Sequence, residues 1–162
     1  MSFQYAPFHY ACKTGDVAKV KDALANGIKL EMGNNIALHL ACENGHADIA
    51  SLLLNDSRID PIGYANYAIR AACINGHTDI VKLLLQDGRA DPTDCWNAAI
   101  QHASKNGHID VVKALLQDGR VDPTANNNYA INNAATQEIK ELLIAYKYRV
   151  DGPEYRKLKA QI

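Results

Sequence analysis

The chain has 162 residues, 48% of them hydrophobic and 22% charged, with a net charge of −1. That apolar share can fill a core and excludes a disordered chain, the length suits one domain, and the near-neutral charge excludes a global field that draws in nucleic acid. Met1-Ser2-Phe3-Gln4-Tyr5 has neither a basic start nor an apolar run, and no stretch reaches the roughly 18 apolar residues of a membrane helix. An intracellular protein, cytoplasmic or nuclear, without a membrane segment is expected. Asn55-Asp56-Ser57 fits a glycosylation sequon, which without export is a chance match.

In chain order, the pattern is a repeat. Asn-Gly-His occurs at Asn44-Gly45-His46, Asn75-Gly76-His77 and Asn106-Gly107-His108, with the glycines 31 residues apart both times. The same offset links Asn35, Asn66, Asn97 and Asn128. A fixed period of this length marks a solenoid or array, in which each unit touches only its neighbours. The clearest unit runs from Asn66 to Trp96. Tyr67 to Ile74 predicts a short helix with small residues on one side, ended by Asn75-Gly76. A second helix starts near His77-Thr78-Asp79, with Asp79 favoured among the free amides of its first turn. Its core face is Ile80, Leu83 and Leu84, Gly88 fits a left-handed cap, and Pro92 stops the helix from resuming. The preceding core reads Ile49, Leu52, Leu53 and the following one Val111, Ala114, Leu115. Ser57 stands where later units have Gly88 and Gly119, and a left-handed backbone there would cost about 1 kcal/mol.

The unit resembles the ankyrin repeat. Ala6-Pro7-Phe8-His9-Tyr10-Ala11 and Ala37-Leu38-His39-Leu40-Ala41 are close to that family's T-P-L-H-x-A signature, and Gly45-His46, Gly76-His77 and Gly107-His108 match its inter-helix pair. The resemblance implies an all-α helical solenoid over residues 1–146, with units at about 2–34, 35–65, 66–96, 97–127 and 128–146 and a basic capping tail at 147–162. Three departures stand out. The 31-residue period is two short of the usual one, so the projecting hairpin between repeats is expected to be stunted. The signature histidine becomes Arg70, Gln101 and Asn132, which puts bracing of the turn in doubt there. The last unit, through Ala134 to Leu143, lacks the Asn-Gly-His turn and reads as a modified cap.

Candidate chemistry is sparse. His46, His77 and His108 each form His-x-Asp with Asp48, Asp79 and Asp110, but a row of repeats holds them apart, so they read as turn residues. His9 and His39 are expected to be structural, and His102, which fits neither signature position, solvated. Cys12, Cys42 and Cys73 occupy equivalent positions, too far apart to bridge, and read as small buried contacts. Cys95 differs, lying in a connecting loop beside Trp96. No catalytic motif or C-x-x-C pair occurs, so no enzyme activity, cofactor or metal is expected. Arg58, Arg89 and Arg120, each followed by an aspartate at 60, 91 or 122, read as an Arg–Asp chain stitching the repeats rather than a basic stripe for an acidic partner.

Residues that break the period are free for recognition. The connecting loops diverge at Gly63-Tyr64-Ala65, Asp94-Cys95-Trp96 and Ala125-Asn126-Asn127. The resemblance implies that loop tips and the concave face of the first helices bind a partner protein. Carried over by position, the contacts are Arg70, Ile74, Gln101 and Lys105, with Glu43 and Asn44 earlier. Tyr64 and Trp96 are the expected anchors, with packing against the adjacent loop as their alternative, because aromatics concentrate interface energy. Tyr67 and Tyr129 read as structural. Residues 145–162 carry five basic groups against Asp151 and Glu154, interleaved with Tyr146, Tyr148, Tyr155, Leu158 and Ile162. This segment is read as a cover for the last repeat, ahead of a site for acidic protein, lipid headgroups or RNA. A monomeric protein-recognition module is the expectation; a structural or assembly element making self-contacts is the alternative.

Overall fold

The computed structural model describes residues 6–28 and 35–151. Among them are ten helices: α1 (Ala6–Thr14), α2 (Val17–Ala25), α3 (Ile36–Glu43), α4 (Ala47–Leu54), α5 (Gly63–Asn75), α6 (Thr78–Asp87), α7 (Asp94–Lys105), α8 (Ile109–Asp118), α9 (Ala125–Asn132) and α10 (Gln137–Asp151). They form antiparallel pairs in sequence. Each odd-numbered helix packs on the next odd one and each even helix on the next even one, which makes two layers of an all-α solenoid with no strand among the described residues. Residues 2–5 and 29–34 of the first expected unit lie outside the described residues, as do Tyr155, Arg156, Lys157, Leu158, Lys159 and Ile162 of the tail.

Small side chains set the approach of the first layer. Ala37, Ala41 and Cys42 in α3, Ala68, Ala72 and Cys73 in α5, and Ala99, Ala103 and Ser104 in α7 are all buried. The three buried cysteines are unbridged, and burial pushes the Cys12 and Cys42 thiols up to about 12 and Cys73 further in the same direction. Ser104 replaces cysteine in the fourth unit. A buried hydroxyl needs a partner, and its Oγ donates to Ala130 O at 2.6 Å on α9.

The second layer differs from the sequence expectation in one respect. Its fully buried positions are Ile49, Ala50 and Leu53, then Ile80, Val81 and Leu84, then Val111, Val112 and Leu115. Leu52 and Leu83 are only half-buried. A helix flanked by two neighbours in its own layer and a third behind it buries a wide stripe, centred one residue away from the i, i+3 edge. Each buried valine, leucine or isoleucine here contributes about 1.5–3 kcal/mol through burial.

Within each unit the turn closes the same way. Gly15, Gly45, Gly76 and Gly107 lie in the left-handed region, with φ of 80, 81, 77 and 82°. The next amide then reaches back five residues: Asp16 to Ala11, His46 to Ala41, His77 to Ala72 and His108 to Ala103. Gly88 and Gly119 cap α6 and α8 in the left-handed conformation. Ser57 does not adopt it; α4 instead stops at Leu54, earlier than its counterparts, and the expected strain is avoided by a shorter helix. In the last unit α10 buries Ile139 and Leu143 and continues through residue 146 to Asp151.

Candidate functional site

The segments between units are the places where the backbone departs from ordinary geometry. Tyr64 and Asn66 have φ of 54 and 55°, Cys95, Trp96 and Asn97 of 52, 58 and 64°, and Asn126, Asn127 and Asn128 of 53, 57 and 60°. Each segment is a single left-handed turn leading into a right-handed helix. It is closed by Asn66 N–H to Ile62 O at 3.0 Å, Asn97 to Thr93 at 2.8 Å and Asn128 to Thr124 at 2.9 Å. These turns stand where the resemblance implies a hairpin, and they account for the short period. A left-handed residue other than glycine costs about 1–2 kcal/mol, with asparagine the most tolerant.

A set of recurring side-chain bonds holds the turns against that cost. Asn35 Nδ2 donates to Asp60 O, and Asp60 N donates to Asn35 Oδ1 at 3.1 Å. Asp91 N donates to Asn66 Oδ1 and Asp122 N to Asn97 Oδ1, both at 2.7 Å. The asparagine row thus ties each turn to the next unit. Its last member, Asn128, accepts from Lys147 Nζ of α10 at 3.3 Å. Asp60, Asp91 and Asp122 accept from the amides two residues on, at Ile62, Thr93 and Thr124, at 3.0, 2.8 and 2.8 Å.

The aspartates at 60, 91 and 122 are therefore engaged, and the arginine ladder pairs differently from the sequence expectation. Arg58 holds Asp56, Arg89 holds Asp87 and Arg120 holds Asp118, at 2.5, 2.7 and 2.7 Å. Stitching runs through carbonyls of the previous unit: Arg58 to Ile28 O at 2.8 Å, Arg89 to Ile59 O at 3.0 Å and Arg120 to Ala90 O at 3.1 Å. An arginine fork can take a carboxylate and a carbonyl together, so the nearest acid in the chain behind it fixes the fork and leaves an edge for the neighbour. The Arg58 and Arg89 guanidiniums hold the Asp56 and Asp87 carboxyls below the usual range.

Histidine does the same work at the other end of the units. His46, His77 and His108 begin α4, α6 and α8 without a side-chain cap bond to their own helix. Their Nε2 atoms instead meet carbonyls one unit back: Lys13 O at 2.9 Å, Glu43 O at 3.1 Å and Ile74 O at 2.9 Å. Asp16, at the same place in the first hairpin, caps its own helix by accepting from Lys19 N at 3.1 Å. Among the described residues no three His, Cys, Asp or Glu side chains converge to hold a metal ion.

The predicted contact residues fall on one face of the first-helix layer. Tyr64 and Trp96 sit on successive turns, 64% and 81% exposed. Arg70 and Gln101 brace those turns, Arg70 by donating to Tyr64 O at 3.3 Å and Gln101 to Trp96 O at 2.5 Å; Asn132 does likewise to Asn127 O at 3.1 Å. The doubt about bracing at these three positions is thus resolved. Side-chain amides and a guanidinium all reach the carbonyl that the left-handed turn directs at them. Ile74 and Lys105 lie one helical turn beyond Arg70 and Gln101, on the same face. Glu43 stands at the matching place in α3, four residues after His39. Glu43 and Lys105 are exposed and Ile74 is half-buried. Asn44 is exposed and donates to its own Leu40 O at 2.8 Å.

Residues read only as structural complete this face. His39 is 8% exposed, and its ring meets Tyr64 edge-on at 5.5 Å and Tyr67 at 5.0 Å. The Arg70 guanidinium lies 5.9 Å from the centre of Tyr67. Tyr64 therefore packs on the neighbouring unit with one edge while most of its surface stays in water. His102 is half-buried, not freely solvated. Its imidazole is held below its usual value by burial first, then by the charges of Arg70 and Lys105. Asp94 accepts from Asn66 Nδ2 at 2.8 Å and from Cys95 N at 2.6 Å, which keeps its carboxyl low. Position in the row was the signal available for His39, since it stands 31 residues before Arg70.

Comparison with known proteins agrees with this architecture. A family model described as ankyrin repeats (3 copies) matches residues 2–64 and 62–127. Osteoclast-stimulating factor 1 from Monopterus albus is 37% identical over 57 residues, or 33% of this chain, which spans 27% of that protein. With paired helices stacked in two layers, a glycine–histidine ladder between units and this match over most of its length, the chain belongs to the ankyrin repeat family.

Proposed function

We propose that the chain is a protein-recognition module, acting as a monomer inside the cell, whose contact surface is the row of left-handed turns and the adjoining face of α3, α5 and α7. Ankyrin repeats are generally protein–protein interaction modules, and the family is typically non-enzymatic. No helix among the described residues is long and apolar enough to cross a membrane. The four free cysteines fit a reducing compartment.

The observation that carries this reading is Trp96. A tryptophan 81% exposed is held on a left-handed backbone whose carbonyl is pinned by Gln101. Such a side chain adds nothing to the core, and its fixed backbone lowers the ordering cost of contact. Tyr64 on the preceding turn extends the ridge, and Arg70, Ile74, Gln101, Lys105, Glu43 and Asn44 supply polar and apolar flanks.

The test exploits residues the protein itself uses at these places. Asn126 and Asn127 occupy the positions equivalent to Tyr64 and Trp96 in a later turn, so Tyr64→Asn and Trp96→Asn are compatible with the backbone. Proteins retained from a native lysate by the wild-type chain and lost with the double variant, at unchanged thermal stability, are the expected result. Equal retention by both overturns the placement. A concentration-dependent dimer abolished by the same substitutions points to self-assembly instead.

A further inference from the structure

Among the described residues two buried side-chain polar atoms have no hydrogen-bond partner, His39 Nε2 and Arg70 Nε. They belong to the same position of adjacent units and face the same two tyrosines, Tyr64 and Tyr67. Buried polar groups are nearly always paired, so an orphan pair in one place marks an unfilled requirement.

Arg70 is also the described arginine side chain without an ion pair. Arg58, Arg89 and Arg120 each hold a carboxylate, and among the described residues no carboxylate lies within 4.0 Å of Arg70. Of its five donors one is used, in the longest of the three turn braces, 3.3 Å against 2.5 and 3.1 Å. Turning the fork away from Tyr64 O therefore sacrifices little. Gln101 and Asn132 show that an uncharged group braces a turn at this position, so the positive charge is not needed for bracing. Two further groups surround it. The His102 imidazole is held low by burial first and then by the charges of Arg70 and Lys105, and the Asp94 carboxyl, lowered chiefly by its hydrogen bonds, also feels the charge of Arg70. Asp94 is already engaged by Asn66 and Cys95.

We propose that Arg70 is the anchor for a carboxylate side chain, Asp or Glu, of an acidic peptide segment lying along the turns of the second to fourth units. The carboxylate takes the free edge of the guanidinium, Lys105 supplies further positive potential, the neutral His102 imidazole lies in the same field, and an apolar neighbour in the peptide rests on Trp96. Complementarity of charge argues for this occupant. Two cations, Arg70 and Lys105, offset by Asp94 match a single negative charge, whereas a doubly charged phosphate exceeds that balance and is repelled more by Asp94. The proposal rests on the recognition surface described above and assigns its partner chemistry.

The test uses three pools of short fluorescein-labelled peptides with randomised flanks and a fixed central Glu, Gln or phosphoserine, titrated against the whole chain by fluorescence anisotropy. The Glu pool is expected to bind about tenfold or more tightly than the Gln pool, the scale of a charge-assisted hydrogen bond. Arg70→Gln, which keeps the brace in the form Gln101 already uses, should abolish that preference without changing thermal stability. Lys105→Gln should reduce it less. In NMR titrations the His102 imidazole should move to higher pKa when the Glu peptides bind, since the anion offsets Arg70. Equal binding of the Glu and Gln pools, a preference unchanged in Arg70→Gln, or tighter binding of the phosphoserine pool would each overturn the proposal. If Glu and Gln pools bind alike and Trp96→Asn weakens both, the surface stands and only the anchor falls. If no pool binds, both fall.

Discussion

The imidazole of His108 lies over Gly76 of the preceding unit: a Cβ placed on Gly76 would come within 2.6 Å of His108 Nδ1. Gly45 meets His77, and Gly15 meets His46, in the same way, at 2.8 Å. The recurring glycine serves two needs, a left-handed turn and the space for the next unit's histidine. Gly88 serves only the first, with nothing within 4 Å of a Cβ there. Gly88→Ala is expected to cost about 1 kcal/mol, while Gly76→Ala adds an overpacking penalty and costs about 2–4 kcal/mol in all. Urea unfolding of the two variants measures the difference.

Asn66 tolerates the left-handed turn and bonds both Asp91 N and the Asp94 carboxylate. Asn66→Ala loses both bonds and strains the backbone, at an expected cost of about 2–4 kcal/mol. Asn66→Gly relieves only the strain and should fall between Ala and wild type, about 1 kcal/mol above the alanine variant. The Asp94 carboxyl should titrate higher in both, because Asn66 is the largest cause of its lowered value. Denaturation curves and carboxyl NMR titration check the two parts.

Arg89 joins three groups: Asp87, Ile59 O and Leu54 O, the last at 2.8 Å. Lysine cannot reproduce that fork. Arg89→Lys is expected to lose about 1–2 kcal/mol in urea unfolding, discounted because the side chain is partly in water. A variant as stable as wild type would show that stitching through the carbonyls contributes nothing.

Stability should fall as the medium is acidified, in two stages. His39 titrates below its usual value in the folded chain, because burial opposes its charge more than the hydrogen bond to the Gly63 backbone favours it. Below about pH 6.5 the unfolded chain therefore takes up a proton that the folded chain refuses, and stability declines until the folded value is reached. His102 acts in the same sense. His39→Gln together with His102→Asn, using side chains found at Gln101 and Asn133 in the same rows, should flatten the decline. The second stage lies lower. Asp56 and Asp87 contribute stability present above about pH 4 and lost as pH falls through their lowered values. Urea midpoints from pH 7.5 downward, with and without the histidine substitutions, separate the stages.

The period was written in the chain because each unit must present the same small face, apolar stripe and glycine turn to an identical neighbour. Ala72, Cys73, Ile80 and Leu84 recur as Ala103, Ser104, Val111 and Leu115 for that reason, and the helices, their caps and the solenoid order follow from local spacing. Much of what remained hidden depends on pairs 25 to 35 residues apart, and the rest on which of several near neighbours the fold selects. Nothing local distinguishes Asp56 from Asp60 as the partner of Arg58; the choice belongs to the path of the chain around both. Nor does local pattern reveal that Asp94-Cys95-Trp96 winds left-handed, since propensity disfavours that backbone and bonds from Asn66 and Gln101 sustain it. Sequence alone determined that the units stack and which residues are free of that duty. Only the tertiary structure decided which free residues are held in place, because a side chain becomes rigid through neighbours that the fold, and not the local order of residues, brings beside it.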